Sequence, residues 1–112
     1  MEDQPPAALT PMATYAFRMY VAGRSRRSQA AEENLRALCD FYLPGCHEIE
    51  IVDATEQPAL AEEERILATP IVIRKSPLPG YRVIGDLSDR SRAAFLLGLP
   101  DSGRPSPEGQ RL

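Results

Sequence analysis

The chain has 112 residues, 26% of them charged, and a formal net charge of −3. This length allows one domain with a modest core. The acidic balance argues against a nucleic-acid binder, which needs a surplus of positive charge. No run of about 18 apolar residues occurs, so we expect no membrane-spanning segment. The first residues, MEDQPPAALTP, lack the apolar stretch of a signal peptide, so we expect a cytoplasmic protein.

Prolines concentrate at both ends of the chain. Six of the eleven lie outside residues 14–99, and the last segment, PDSGRPSPEGQRL, has almost no large apolar side chain. Such segments cannot bury enough surface to offset the entropy of ordering. We therefore predict disordered tails at residues 1–13 and 100–112 around a folded domain at residues 14–99.

The first half of this domain predicts a strand, a helix and a second strand. Residues 15–21 alternate apolar side chains with period two, and residues 31–42 place theirs on one helical face. Either Ser25 or Ser28 can cap this helix. Residues 47–53, HEIEIVD, indicate a strand with one polar face, which suits a sheet edge. The order predicts a right-handed βαβ unit.

The second half predicts a helix, a hairpin and a last helix. Pro58 suits a first helical turn, and residues 59–67 are rich in helix formers. Residues 71–73 form a β-branched run, and residues 81–84 complete a hairpin with it. Residues 88–98 predict a helix whose first residue, a serine, can cap it. The whole pattern, βαβ-α-ββα, is the three-layer α/β order of thioredoxin-like domains.

The sequence lacks the cysteine pair of a thioredoxin-like redox enzyme. Such enzymes carry a cysteine of low pKa in the turn after the first strand, at a helix N-terminus. Residues 22–28, AGRSRRS, contain none, and Cys39 lies about four helical turns further on. Cys39 and Cys46 should stay thiols in a reducing cytosol. A glutathione-binding site built on Ser25 or Ser28 stays open, although capping is the better interpretation.

Other polar groups give weaker signals. Thr69-Pro70 stands where thioredoxin-like folds carry a cis-proline. His47 is expected to be an exposed residue at a strand start. Glu62, Glu63 and Glu64 fan out over about 200° of a helix, which favours a solvated face that could meet a basic partner. The arginines of residues 24–27 indicate a solvated loop or, less well, an anion site. No metal-site spacing occurs, and we expect no cofactor.

Three long stretches resemble one protein family. They are YVAG at residues 20–23, LAEEERILATP at residues 60–70 and IGDLSDR at residues 84–90. In this order they resemble the KaiB family of bacterial clock proteins, over about residues 14–99. The resemblance implies a non-enzymatic protein that binds the N-terminal ATPase ring of the KaiC hexamer and modulates its phosphorylation cycle. It also implies that the bound form captures KaiA and displaces a histidine kinase with a KaiB-like sensor domain.

The resemblance also implies residue roles in partner binding. Arg65 stands where the family has a basic residue implicated in the KaiC contact. Glu62 and Glu63 lie in the second of these stretches, and Asp53 ends a further matching stretch, IVD at residues 51–53. The resemblance implies that all three lie at that surface. A redox or glutathione-binding domain and a sensor-type signalling module remain alternative interpretations.

The family is further known for switching folds, because its C-terminal half can adopt a second arrangement that assembles as a tetramer. Tyr15 and Pro79 match positions that affect this switch, and Pro70 is the expected cis-proline. Leu96 and Gly98 stand where the family usually has Gly and then Asp. The β-branched run at residues 71–73, the last helix and the proline at position 100 all favour the thioredoxin-like form. We therefore expect that form to be unusually well populated.

Overall fold

The structure, a computed structural model, describes residues 14–100. The predicted tails at residues 1–13 and 100–112 lie outside the described residues, apart from Pro100. The tails and the exact limits of the domain therefore stay predictions.

The described residues form four strands and three helices in the predicted order. They are β1 (Tyr15–Val21), α1 (Arg26–Tyr42), β2 (His47–Asp53), α2 (Pro58–Glu63), β3 (Ile71–Ser76), β4 (Arg82–Ile84) and α3 (Arg90–Leu96). The strands form one sheet in the order β2-β1-β3-β4. β1 and β2 are parallel, whereas β3 is antiparallel to both of its neighbours. This architecture confirms the predicted thioredoxin-like α/β fold.

Strand alternation gives the sheet two unequal faces. One face packs against α1 and α3. The fully buried side chains between these layers include Phe17 and Met19 from β1 and Leu35 and Leu38 from α1. The opposite face packs around Tyr20 and is covered by α2, a helix of six residues. Since so short a helix covers little area, charged side chains reach the surface on this second face.

Two predicted helix boundaries are wrong. α2 ends at Glu63 rather than near residue 67, because Arg65 adopts a left-handed backbone conformation with φ of 58°. α3 is capped by Asp89 rather than Ser88, since its carboxylate accepts a hydrogen bond from the Arg92 amide at 3.1 Å. Aspartate is among the best N-cap residues, so the local chemistry explains the shift.

Two other predictions concern the residue that caps α1 and the peptide bond before Pro70. Ser25 caps α1, because its hydroxyl oxygen accepts from the Ser28 amide at 3.0 Å. The Thr69-Pro70 bond is cis, which confirms the prediction.

A buried arginine joins β3 to the end of α3. Arg74 is 5% exposed, and its buried Nε has no hydrogen-bond partner among residues 14–100. Its Nη1 donates to the carbonyl oxygens of Leu97 and Gly98, both at 3.1 Å. Its Nη2 donates to the carbonyl oxygen of Pro79 at 3.2 Å. Carbonyls at a helix C-terminus carry partial negative charge, so this cation stabilises the end of α3.

Two tyrosine rings complete the surroundings of Arg74. The guanidinium carbon lies 4.6 Å from the ring centre of Tyr81 and 5.5 Å from that of Tyr15. Both distances suit cation–π attraction. Gly98 has φ of 67°, and a Cβ there would lie 2.9 Å from a Tyr81 ring carbon. Only glycine fits this position without moving the ring.

We expect Arg74→Met to lower the free energy of unfolding by about 1–3 kcal/mol, because three carbonyls lose their buried donor while side-chain volume is nearly kept. Urea titration followed by circular dichroism measures this change. Arg36→Met is the matched control, since Arg36 is exposed and pairs with Glu32 one turn away. The control should stay within about 0.5 kcal/mol. Equal losses in the two variants would contradict the role of Arg74.

Candidate partner-binding site

A shallow cleft lies beside α2 and the turn that follows it. Glu62 and Arg65 line it together with apolar neighbours: Ala54, Pro58, Ala61, Ile66 and Leu67. Leu67 is 94% exposed, an unusual state for a large apolar side chain. Exposed apolar side chains rimmed by charges are typical of protein-binding surfaces.

The turn after α2 holds Arg65 in a defined place. The Ile66 amide donates to the carbonyl of Ala61 at 2.9 Å, which closes the end of the helix. Arg82 on β4 donates from Nη2 to the Glu64 carbonyl at 2.7 Å. A left-handed conformation is uncommon for arginine and persists only where its surroundings fix it. The turn therefore presents the Arg65 side chain from a braced backbone.

The other two predicted binding residues occupy different positions. Glu63 is exposed on α2 but does not line the cleft. Asp53 lies at the end of β2, on a neighbouring depression. Its Oδ1 accepts from the Thr55 hydroxyl at 2.7 Å, the Thr55 amide at 2.9 Å and the Gly23 amide at 3.1 Å. These hydrogen bonds, that of the Thr55 hydroxyl foremost, lower the pKa of Asp53. The structure thus brings Glu62 and Arg65 together, but not all four residues.

Glu64 departs from the predicted solvated face. Its side chain is 17% exposed, and its carboxylate accepts from Arg18 at 3.0 Å and from the Tyr20 hydroxyl and Lys75. Arg18 also pairs with Glu50 at 2.9 Å. One feature of the sequence pointed to these contacts. Arg18 lies in the middle of an apolar strand, where its charge needs an acidic partner. Its partner could not be read from the sequence, because the two residues are 46 positions apart.

Three of the five predicted fold-switch residues gather at one place, and the other two lie apart from them. Tyr15, Pro79 and Gly98 all contact Arg74, which sequence reasoning missed. Pro70 is buried at the start of β3, and Leu96 is 38% exposed on α3. One feature of the sequence pointed to the contacts of Tyr15, Pro79 and Gly98: an arginine directly follows the β-branched run at residues 71–73.

The thiols and hydroxyls do not form a redox site. Cys39 is buried, and burial raises the pKa of its thiol to about 12. Cys46 is half-buried and also free. Ser25 also donates its hydroxyl proton to the Ser28 oxygen at 3.0 Å, so both hydroxyls serve the start of α1. A thiolate nucleophile needs the opposite shift in pKa.

The remaining polar candidates have simple environments. His47 begins β2 as predicted but is half-buried, not exposed, because its ring Nδ1 donates to the Leu43 carbonyl at 2.8 Å. Arg24, Arg26 and Arg27 are exposed. Among residues 14–100, no three metal-ligating side chains gather at one point. In the same range, no helix combines the length and apolar character needed to cross a membrane.

Comparison with known proteins decides the family. Residues 18–99 match the KaiB domain. The chain belongs to the KaiB family. This KaiB-family chain is 42% identical to a circadian clock oscillator protein KaiB of Synechococcus sp. strain RCC307 over 91 residues, 81% of each chain. It is 36% identical to a circadian clock oscillator protein KaiB of Prochlorococcus marinus, over 91% of this chain and 99% of the relative. These relatives support a role as a clock component.

Solved structures support the fold of this KaiB-family chain. The N-terminal domain of Synechococcus elongatus SasA matches with a TM-score of 0.64 at 19% identity, over 88% of this chain and 93% of that one. Mitochondrial thioredoxin 3 of Saccharomyces cerevisiae matches with a TM-score of 0.61 at 16% identity, over 82% and 85%. At these identities the likeness concerns the thioredoxin-like fold alone.

Glu64 and its partners Arg18, Tyr20 and Lys75, here called the Glu64 cluster, predict how the stability of the fold changes in acid. Burial raises the pKa of Glu64, but the hydrogen bonds from Lys75, Tyr20 and Arg18 outweigh it and lower the pKa from 4.5 to about 2. Ionised Glu64 therefore stabilises the fold above about pH 4.5, and this contribution is lost as the pH falls towards 2. We expect Glu64→Gln to flatten the fall in unfolding free energy between pH 7 and pH 3, measured by urea titration.

The control for this experiment is Glu62→Gln, which removes an exposed carboxylate two residues before Glu64. It should keep the wild-type dependence on pH. An unchanged dependence in Glu64→Gln would contradict the account of the cluster.

Proposed function

We propose that this chain is a non-enzymatic clock component that binds the N-terminal ATPase ring of a KaiC-type hexamer and modulates its phosphorylation cycle. The match of residues 18–99 to the KaiB domain carries the proposal. Its non-enzymatic character is supported by the buried Cys39 thiol and by a first turn, residues 22–28, that contains no cysteine. We place its action in the cytoplasm.

The cleft beside α2 is the proposed contact with the ATPase ring. Arg65 supplies a positive charge from a braced turn, and Leu67 supplies an exposed apolar anchor. Glu62 lines the same cleft, and Glu63 extends the acidic rim. Asp53 lies on the neighbouring depression, where hydrogen bonds from Thr55 and Gly23 fix its carboxylate. An apolar centre with a charged rim is the usual anatomy of a specific interface.

Fold switching is proposed as a regulatory equilibrium of the same chain. The thioredoxin-like form is the state proposed to bind the ring, and a second, tetrameric arrangement of the C-terminal half competes with it. The contacts of Arg74 with Leu97 and Gly98 support a bias towards the thioredoxin-like form, because they hold the end of α3 against β3. KaiA and a histidine kinase sensor domain are proposed as competing or additional partners.

The experiment measures binding to the KaiC homologue of the same genome, by biolayer interferometry with ATP present and absent. We expect Arg65→Glu to weaken binding at least ten-fold, about 1.4 kcal/mol, because it reverses the charge in the cleft. Arg36→Glu is the matched control, since Arg36 is exposed on α1, across the sheet from α2. The control should bind like the wild type. Equal affinities for the two variants would contradict the assigned surface, and no binding by the wild type would contradict the function.

A further inference from the structure

A second groove lies on the other side of the turn that follows α2, between that turn, β4 and α3. Its floor includes Ile71 and Ile84, which are paired across β3 and β4. Leu67 and Leu96 line its walls. Ile84 is 63% exposed and Leu67 94% exposed, so a partner could still bury much apolar surface here.

The groove carries positive charge. Arg65, Arg82 and Arg92 line it, and no acidic side chain does. Within the described residues, neither Arg65 nor Arg92 forms an ion pair. Arg82 donates to the backbone carbonyls of Glu64 and Arg65, which leaves its charge unneutralised. A concentration of positive charge on a chain of net charge −3 points to an acidic ligand.

The edge of the sheet offers free backbone groups beside this groove. β4 is the last strand of the sheet, and it hydrogen-bonds to β3 through the Tyr81 carbonyl and the Gly85 amide. In an antiparallel pair these groups alternate in direction. The N–H and C=O groups of Arg82 and Ile84 therefore point away from β3. An exposed edge of this kind can accept an added strand.

We propose that this groove binds an extended segment of a partner protein that carries both carboxylates and aliphatic side chains. The segment adds to β4 as a fifth strand. Its aliphatic side chains cover Ile84 and Leu67 on the α2 side of the sheet, and its alternating carboxylates point to the α3 side, where they pair with Arg92. Charge complementarity selects such a segment over a neutral apolar one. The proposal goes beyond ring binding through the α2 cleft, because Ile84 and Arg92 line this groove and not that cleft.

The test is an NMR titration of the ¹⁵N-labelled chain with an end-capped peptide, EVELDVE, and with its basic twin, KVKLKVK. We expect the acidic peptide to bind at least ten-fold more tightly and to shift the amide signals of Arg82 and Ile84. Binding should weaken with rising salt, since exposed charges are screened. Equal affinity for the two peptides, or shifts confined to α2, would overturn the proposal.

Variants separate this groove from the α2 cleft. Arg92→Glu should weaken binding of the acidic peptide at least ten-fold and leave binding to the KaiC homologue unchanged. Glu62→Gln should leave peptide binding unchanged, because Glu62 does not line the groove. The spectrum of each variant without peptide reports whether it is folded, and Arg92→Ser serves if the charge reversal disturbs α3. Normal binding by a folded Arg92 variant would overturn the proposal, as would self-association of the chain through β4.

Discussion

The buried guanidinium of Arg74 is the interaction on which the rest of this structure depends. It connects β3 to the final turn of α3 and to the carbonyl of Pro79 in the β3–β4 connection. Burying a cation is costly unless its donors find acceptors. Here the two Nη groups donate to backbone carbonyls, and two tyrosine rings face the charge. One side chain thereby links the end of α3 to β3 and to the β3–β4 connection.

The unequal covering of the sheet explains where binding surfaces occur. Two helices bury one face, whereas α2 leaves much of the other face to charged groups around Glu64. The turn after α2 rises between two depressions and presents Arg65 and Leu67 to both. Its backbone is braced from β4 by Arg82, so the surface is largely formed before a partner arrives. A preformed surface reduces the ordering cost of binding.

Much of the fold could be predicted from the sequence, because its signals are local. Period-two alternation predicted β1 and β2, serine chemistry predicted the cap of α1, and the element order predicted the cis bond before Pro70. Two of the errors arose where distant residues decide. α2 ends early where Arg82 holds the turn, and Glu64 is drawn inward by Arg18. Arg74 gave no local sign of its carbonyl partners. The sequence therefore predicted individual residues of the candidate site, but not the surface that they form together.

We propose above that the thioredoxin-like form of this KaiB-family chain binds a KaiC-type ATPase ring through the surface beside α2. Hydrogen–deuterium exchange of the full chain, alone and with the KaiC homologue of the same genome and ATP, tests it most directly. We expect slow exchange throughout β3 and α3 in the free chain, and new protection on binding at residues 58–67. Protection that omits this segment, or a tetrameric free chain with a strand at residues 94–99, would contradict the proposal.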